Sequence, residues 1–255
     1  MKNRFNTPAL LHKTLLISGY PESALALKIA DWENALPENL HLAYLPNYGI
    51  IRLRLTGTAD DMLALDFAMN QQIGKVKGIL GNTVVCDEDI SVEQWLGNLL
   101  KDNGLSVSTA ESCTGGNIAH LITSVPGSSE YFKGSVVAYA NEIKINVLGV
   151  LSEDIQKYGA VSQPVVEQMA DGVRRLTKTD IAIATSGIMG STGGTDEKPI
   201  GTVWIAVCSV EKMISKLFHF GYQREQNIER TTQAAMLMVR ELFYTQRKLD
   251  CEKSN

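Results

Sequence analysis

Ser108-Thr109-Ala110-Glu111-Ser112-Cys113-Thr114-Gly115-Gly116 reads as the end of a buried strand running into a helix through a tight turn of small polar residues. Residues 105–108 supply the end of an apolar, β-prone segment, and residues 117–125 continue with apolar side chains at helical spacing. A helix start of this kind leaves N–H groups without partners. Together with the positive end of the helix dipole they stabilise an anion, and glycine lets a ligand approach the backbone. Ser112 becomes a hydroxyl on a donor-rich turn. The same residues also fit a plain N-cap serine, with Gly115 and Gly116 serving packing.

Outward from this turn, strands alternate with helices. Strands are expected at 105–109, 134–139, 180–185, 202–208 and 214–220, and helices at 115–123, 142–148, 165–176 and 226–246. A helix opened by Ser91 runs to 103 ahead of them. The alternation implies a largely parallel sheet covered on both faces, a three-layer α/β/α domain over 89–250. Asp87-Glu88-Asp89 is the expected boundary. Before it come a strand at 10–18, a helix at 22–36 closed by Pro37, short strands at 41–45 and 50–56, a helix at 60–77 and a strand at 83–86. The two short strands join through Pro46-Asn47-Tyr48-Gly49, which suits a hairpin. This is a small α+β module over 1–88, with helices on one face of a mostly antiparallel sheet. Residues 250–255 are expected to fray.

The chain has 255 residues, 44% hydrophobic and 20% charged, and can bury a substantial core. A formal charge of -4 with no long basic run argues against a protein that works mainly by holding nucleic-acid phosphates. Arg52 and Arg54 alternate with Ile51, Leu53 and Leu55, giving one basic face to a strand whose other face is buried. Cys86, Cys113, Cys208 and Cys251 are scattered, and His12, His41, His120 and His219 lack metal-ligand spacing, so reduced thiols and no structural zinc are expected. No apolar run approaches the roughly 18 residues of a membrane span, and the first residues lack a leader's apolar core. A cytoplasmic location is the expectation.

Two further stretches carry chemistry. In Gly134-Ser135-Val136-Val137-Ala138-Tyr139-Ala140-Asn141-Glu142-Ile143-Lys144, Tyr139, Asn141 and Lys144 arrive at the carboxyl end of a strand, where ligands of open α/β sheets bind. Lys144 then lies on the first turn of the next helix. Partial burial and the helix's positive end would lower its pKa, and a neutral lysine can take a proton from a serine. A solvated lysine beside Glu142 is the plainer alternative. The segment Thr185-Ser186-Gly187-Ile188-Met189-Gly190-Ser191-Thr192-Gly193-Gly194 offers N–H groups and hydroxyls to a phosphate or an oxyanion, or is a mobile hairpin loop. Arg224, with Arg230 on the helix that follows, can pair with a phosphate or simply face water. Motifs of the common hydrolases, P-loops, dinucleotide folds and zinc proteases are missing.

The chain resembles the carboxy-terminal domain of the competence/damage-inducible CinA family, the nicotinamide-nucleotide amidases. The likeness rests on TAESCTGG (109–116), PGSSEYFKGSVVAYANEIKINVLGV (126–150), GAVS (159–162) and SGIMGSTGGTDEKPIGTVW (186–204), in that order. Residues 5–85 are similar to the connecting module of full-length CinA proteins, sometimes described as KH-like, although no GxxG loop is expected here. The amino-terminal, molybdopterin-binding-like domain of those proteins has no counterpart in this chain. The resemblance implies hydrolysis of nicotinamide mononucleotide to nicotinate mononucleotide and ammonia, without metal or other cofactor. It makes Ser112 the nucleophile, Lys144 its base, and Tyr139 a neighbour that orients the pair or donates to the leaving nitrogen. Glu111, Thr114, Gly115 and Gly116 would shape the turn, with Asn141 beside it, and Ser186, Gly187 and Gly190 the opposite wall. Arg224 and Arg230 would hold the 5'-phosphate. A homodimer is the expected assembly. The competing reading is a catalytically silent nucleotide-binding or regulatory protein, and RNA binding through Arg52 and Arg54 ranks behind both.

Overall fold

A computed structural model describes residues 9–243, which divide between Ile90 and Ser91 into two compact units. The expected frayed end at 250–255 lies outside the described residues, as does the expected end of the last helix at 246.

The first unit orders β1 (Ala9–Ser18), α1 (Glu22–Asn34), β2 (Leu40–Asn47), β3 (Ile50–Ala59), α2 (Met62–Leu80) and β4 (Val84–Cys86). Its sheet runs β2-β3-β1-β4, and every pair is antiparallel. That strand order with two helices is the ferredoxin-like arrangement. Its period-two pattern buries Leu15, Ile17, Ile51, Leu53 and Leu55 against Leu25, Ile29, Leu65, Met69 and Val76 of the helices. Asp61 caps α2 by accepting from the Leu63 and Ala64 amides. Gly78-Ile79-Leu80-Gly81 does carry GxxG spacing, contrary to the sequence reading. It forms the last turn and cap of α2 rather than a loop between helices. The arginines of β3 are not an open basic face, because Arg54 and Arg52 both pair with Asp89, at 2.7 and 3.4 Å.

The second unit runs α3 (Val92–Asp102), β5 (Val107–Glu111), α4 (Asn117–Ser124), β6 (Phe132–Val137), α5 (Asn141–Asn146), α6 (Ser152–Tyr158), α7 (Gln163–Thr177), β7 (Ile181–Gly187), β8 (Thr202–Cys208), β9 (Met213–His219) and α8 (Arg224–Met238). Its sheet order is β6-β5-β7-β8-β9. The pairs of β5 with β6 and β7 are parallel, and β8 is antiparallel to both its neighbours. Only β8 therefore runs against the rest, and the sheet is mostly parallel. On one face Ala110, Ala182, Ala184, Ala206 and Cys208 pack with Val165, Val166, Met169, Ala170 and Val173 of α7. The small strand residues admit the helix closely. Gly172 of α7 goes further, since a Cβ there would lie 2.0 Å from the Leu148 carbonyl oxygen. α3, α4 and α8 pack with one another, and α4 and α8 cover the other face.

Two boundaries move with consequences. β5 ends at Glu111 rather than at 109, so Ser112 is the first residue past the strand. α5 spans only Asn141–Asn146, which puts Lys144 in its last turn rather than its first. The sequence reading also missed α6, a seven-residue helix with no buried side chain and hence no apolar stripe to find.

Candidate active site

The carboxyl ends of β5 and β7 and the segment after β6 meet around a cavity of about 210 Å³. Its walls include Ser112, Tyr139, Asn141, Lys144, Ser186, Gly187 and Arg224, all singled out from the sequence. Cys113, Ala160, Val161 and Met189 also line it. They were missed because small and apolar side chains announce no chemistry.

Ser112 is half-buried at the start of the turn, where its amide donates to the Thr185 carbonyl at 3.0 Å and so ties the turn to β7. Parallel pairing of β5 with β6 brings the Ala138–Tyr139 corner alongside, through Ala138 N–H to the Glu111 carbonyl at 2.8 Å. From α5 the Lys144 side chain reaches back into this corner and is 1% exposed. Its Nζ lies 3.1 Å from Ser112 Oγ, 2.7 Å from the Ala138 carbonyl and 3.3 Å from that of Tyr139. As an ammonium Nζ donates to all three, and as a neutral amine it keeps two N–H donors for the carbonyls while its lone pair accepts from the serine hydroxyl. Burial holds the lysine pKa below its ordinary value. Burial pushes the Cys113 thiol up to about 12, so it is no rival nucleophile near neutral pH.

The helix start is not left open for a ligand. Glu111, 0% exposed, turns its carboxylate onto α4: Oε2 accepts from the Gly116 and Ile118 amides and the Thr114 hydroxyl, and Oε1 from the Ala119 amide and the Thr109 hydroxyl. The anion expected at the positive end of this helix is the chain's own glutamate. Gly115 and Gly116 adopt φ of 63° and 98°, which turns the chain so that those amides reach back to it. Glu111, Thr114, Gly115 and Gly116 therefore build the turn and line no part of the cavity. Across the cavity the buried Ser186 hydroxyl donates to the Ala160 carbonyl at 2.8 Å.

Arg224 opens α8 at the rim. Its Nη1 donates to the Gly190 carbonyl at 2.8 Å and its Nη2 to the Tyr139 hydroxyl at 3.3 Å, leaving further N–H groups for a ligand. Gly190 contributes that carbonyl and does not line the cavity, and the Tyr139 ring is 64% exposed. Arg230 departs from the expectation. Its guanidinium stacks over Tyr222, 4.1 Å from the ring centre, outside the cavity. The resemblance gave it a share of the phosphate with Arg224, but six residues along a helix turn it to a different face. Among the described residues, no group of three or more His, Cys, Asp or Glu side chains is placed to hold a metal ion, and no helix is long and apolar enough to cross a membrane.

The family model of the CinA C-terminal domain matches residues 89–243, and that of the damage-inducible protein CinA KH domain matches 12–85. A CinA-like protein of Cytophaga hutchinsonii is 44% identical over 94% of this chain and 57% of its own. A Shewanella oneidensis protein named nicotinamide-nucleotide amidohydrolase PncC is 37% identical over 95% of this chain and 57% of its own. The chain thus spans less than two thirds of the length of these curated relatives. Among solved structures, the competence/damage-inducible protein CihA of Agrobacterium tumefaciens covers 62% of this chain and 99% of itself, at 33% identity and a TM-score of 0.57. A CinA-superfamily protein of Escherichia coli covers 60% and 90%, at 28% identity and the same TM-score. With a mostly parallel second sheet, a serine and a lysine meeting at its carboxyl edge, and family models matched along most of its length, this chain belongs to the CinA family.

Proposed function

We propose that the chain is a nicotinamide-nucleotide amidase, converting nicotinamide mononucleotide to nicotinate mononucleotide and ammonia. The observation that carries this reading is the 3.1 Å approach of Lys144 Nζ to Ser112 Oγ, with two carbonyls taking the amine's own hydrogens. Neutral Lys144 removes the Ser112 proton as Oγ bonds to the carboxamide carbon, and the carbonyl oxygen becomes an oxyanion. Among the described residues, the N–H groups of Cys113 and Met189 donate to no other residue, and both residues line the cavity. Cys113, directly after the nucleophile, is the natural oxyanion donor. Collapse breaks the C–N bond, and the Lys144 ammonium returns its proton to the leaving nitrogen as ammonia. Water, deprotonated by the same amine, then cleaves the Ser112 ester to acid and free serine.

No acidic side chain is among the residues lining the cavity, and the Arg224 guanidinium at its rim favours a ligand carrying an anion. The Arg224 guanidinium is assigned to the 5'-phosphate and Tyr139, which it touches, to orientation. The name of the Shewanella relative points the same way. The test is ammonia release from nicotinamide mononucleotide by the intact chain, Ser112→Ala and Lys144→Ala. Release by the intact chain, reduced at least about 10²-fold in each variant, is expected. No release by the intact chain overturns the reading in favour of a silent binder.

A further inference from the structure

The link between α6 and α7 forms one wall of the cavity through Ala160 and Val161. Each carbonyl along it has a donor. The Tyr158 and Val161 carbonyls both accept from Lys198 Nζ, at 2.7 and 2.9 Å, that of Gly159 accepts from the Ser162 hydroxyl, and that of Ala160 from Ser186. Lys198 belongs to the long connection between β7 and β8. A small turn aims it, since the Thr195 amide donates to the Lys198 carbonyl at 2.9 Å and the Lys198 amide to Thr195 Oγ1 at 3.1 Å. The same connection is held at its other end by Arg224, through the Gly190 carbonyl. It therefore straps the wall carrying Ala160 and Val161 to the rim carrying Arg224 and Tyr139. Room for the ammonium comes from Gly159, where a Cβ would lie 3.2 Å from Lys198 Nζ and where φ is +79°. An ammonium shared by the last carbonyl of a helix and one three residues on is also favoured by the negative helix end.

We propose that Lys198 is a positioning residue for the substrate: its ammonium fixes the Ala160–Val161 wall relative to Ser112 and Arg224. This rests on the amidase reading for its kinetic consequence, and on the strap geometry alone for its structural one. Lys198 touches no cavity surface, so it acts through the wall it pins.

The experiment compares the intact chain with Lys198→Met, which keeps the aliphatic stem, and Lys198→Arg, whose guanidinium can still donate to both carbonyls. Two quantities are read: KM and kcat for nicotinamide mononucleotide, and hydrogen exchange of the peptide covering 158–162. In Lys198→Met, KM should rise about tenfold with kcat within about twofold, because a displaced wall weakens ground-state and transition-state binding alike. Exchange should quicken, and Lys198→Arg should recover both. Unchanged exchange in Lys198→Met overturns the strap. Faster exchange with unchanged KM, or with loss of thermal stability as the only other change, overturns the positioning role. Absence of ammonia release by the intact chain is a different failure: it removes the amidase reading, and the positioning role with it, whatever the exchange shows.

Discussion

Replacing Glu111 by glutamine removes a buried charge while keeping the side-chain shape, and the hydrogen bonds around it set the size of the effect. Oε2 serves three donors and Oε1 two. A glutamine oxygen in the Oε2 position keeps the first three, and its NH2 then faces the Ala119 amide and the Thr109 hydroxyl. The hydroxyl can rotate and accept, but the amide cannot, so one buried N–H loses its partner at about 1–3 kcal/mol. The surviving bonds pass from a charged to a neutral acceptor, and the helix end loses its counter-charge, at about 0.3–2 kcal/mol more. Cheaper burial of the neutral amide offsets part of this. A net loss of about 3 kcal/mol is expected, a large share of a domain stability of about 5–15 kcal/mol. Urea unfolding in a Trp32→Phe background leaves Trp95 and Trp204, both in the second unit, as reporters. With a slope of about 2 kcal/mol/M, the midpoint should fall by about 1.5 M with the slope unchanged. A fall under about 0.3 M would refute the account of Glu111 as the cap of α4.

Lys144 and Gly172 give three further outcomes. The active form of Lys144 is the neutral amine and its pKa is lowered, so kcat/KM should rise with pH through an inflection below the ordinary lysine value of 10.5; an inflection at or above that value counts against the base. Between those two values the unfolded chain binds a proton that the native chain does not. Intact-chain stability relative to Lys144→Met should therefore climb with pH across that window and stay flat below it, as urea midpoints will show. Gly172→Ala places a methyl against the Leu148 carbonyl and should cost about 3 kcal/mol, or about 6–12 °C in Tm. A Tm within about 2 °C of the parent would show that α7 can move aside.

Much of the architecture was legible because apolar spacing reports directly on burial. β8 is found where the pattern places it, and the βαββαβ order of the first unit follows from alternating strands broken by two helical stripes. The boundaries that slipped are those where packing outweighs local preference. Glu111 looks like a turn residue, yet it is buried at the end of β5, because its carboxylate finds donors there. Glu111 was read as a turn-shaping residue near substrate. Its targets lie five to eight residues downstream, and only the left-handed turn at Gly115 and Gly116 brings them back to it.

By itself the sequence determined most of the strands and helices, α6 excepted, and it marked Ser112, Lys144 and Arg224 as groups able to do chemistry. It also carried the family resemblance. The tertiary structure decided which of those groups meet. Residues 112 and 144 come within hydrogen-bond reach because β5 and β6 pair in parallel and α5 folds back over their ends, while Arg230 is carried away by the turn of its helix and Lys198 is brought in from a distant loop. Backbone preference is a property of neighbours in the chain, whereas the approach of an amine to a hydroxyl is a property of strand order, which is settled only when the core closes.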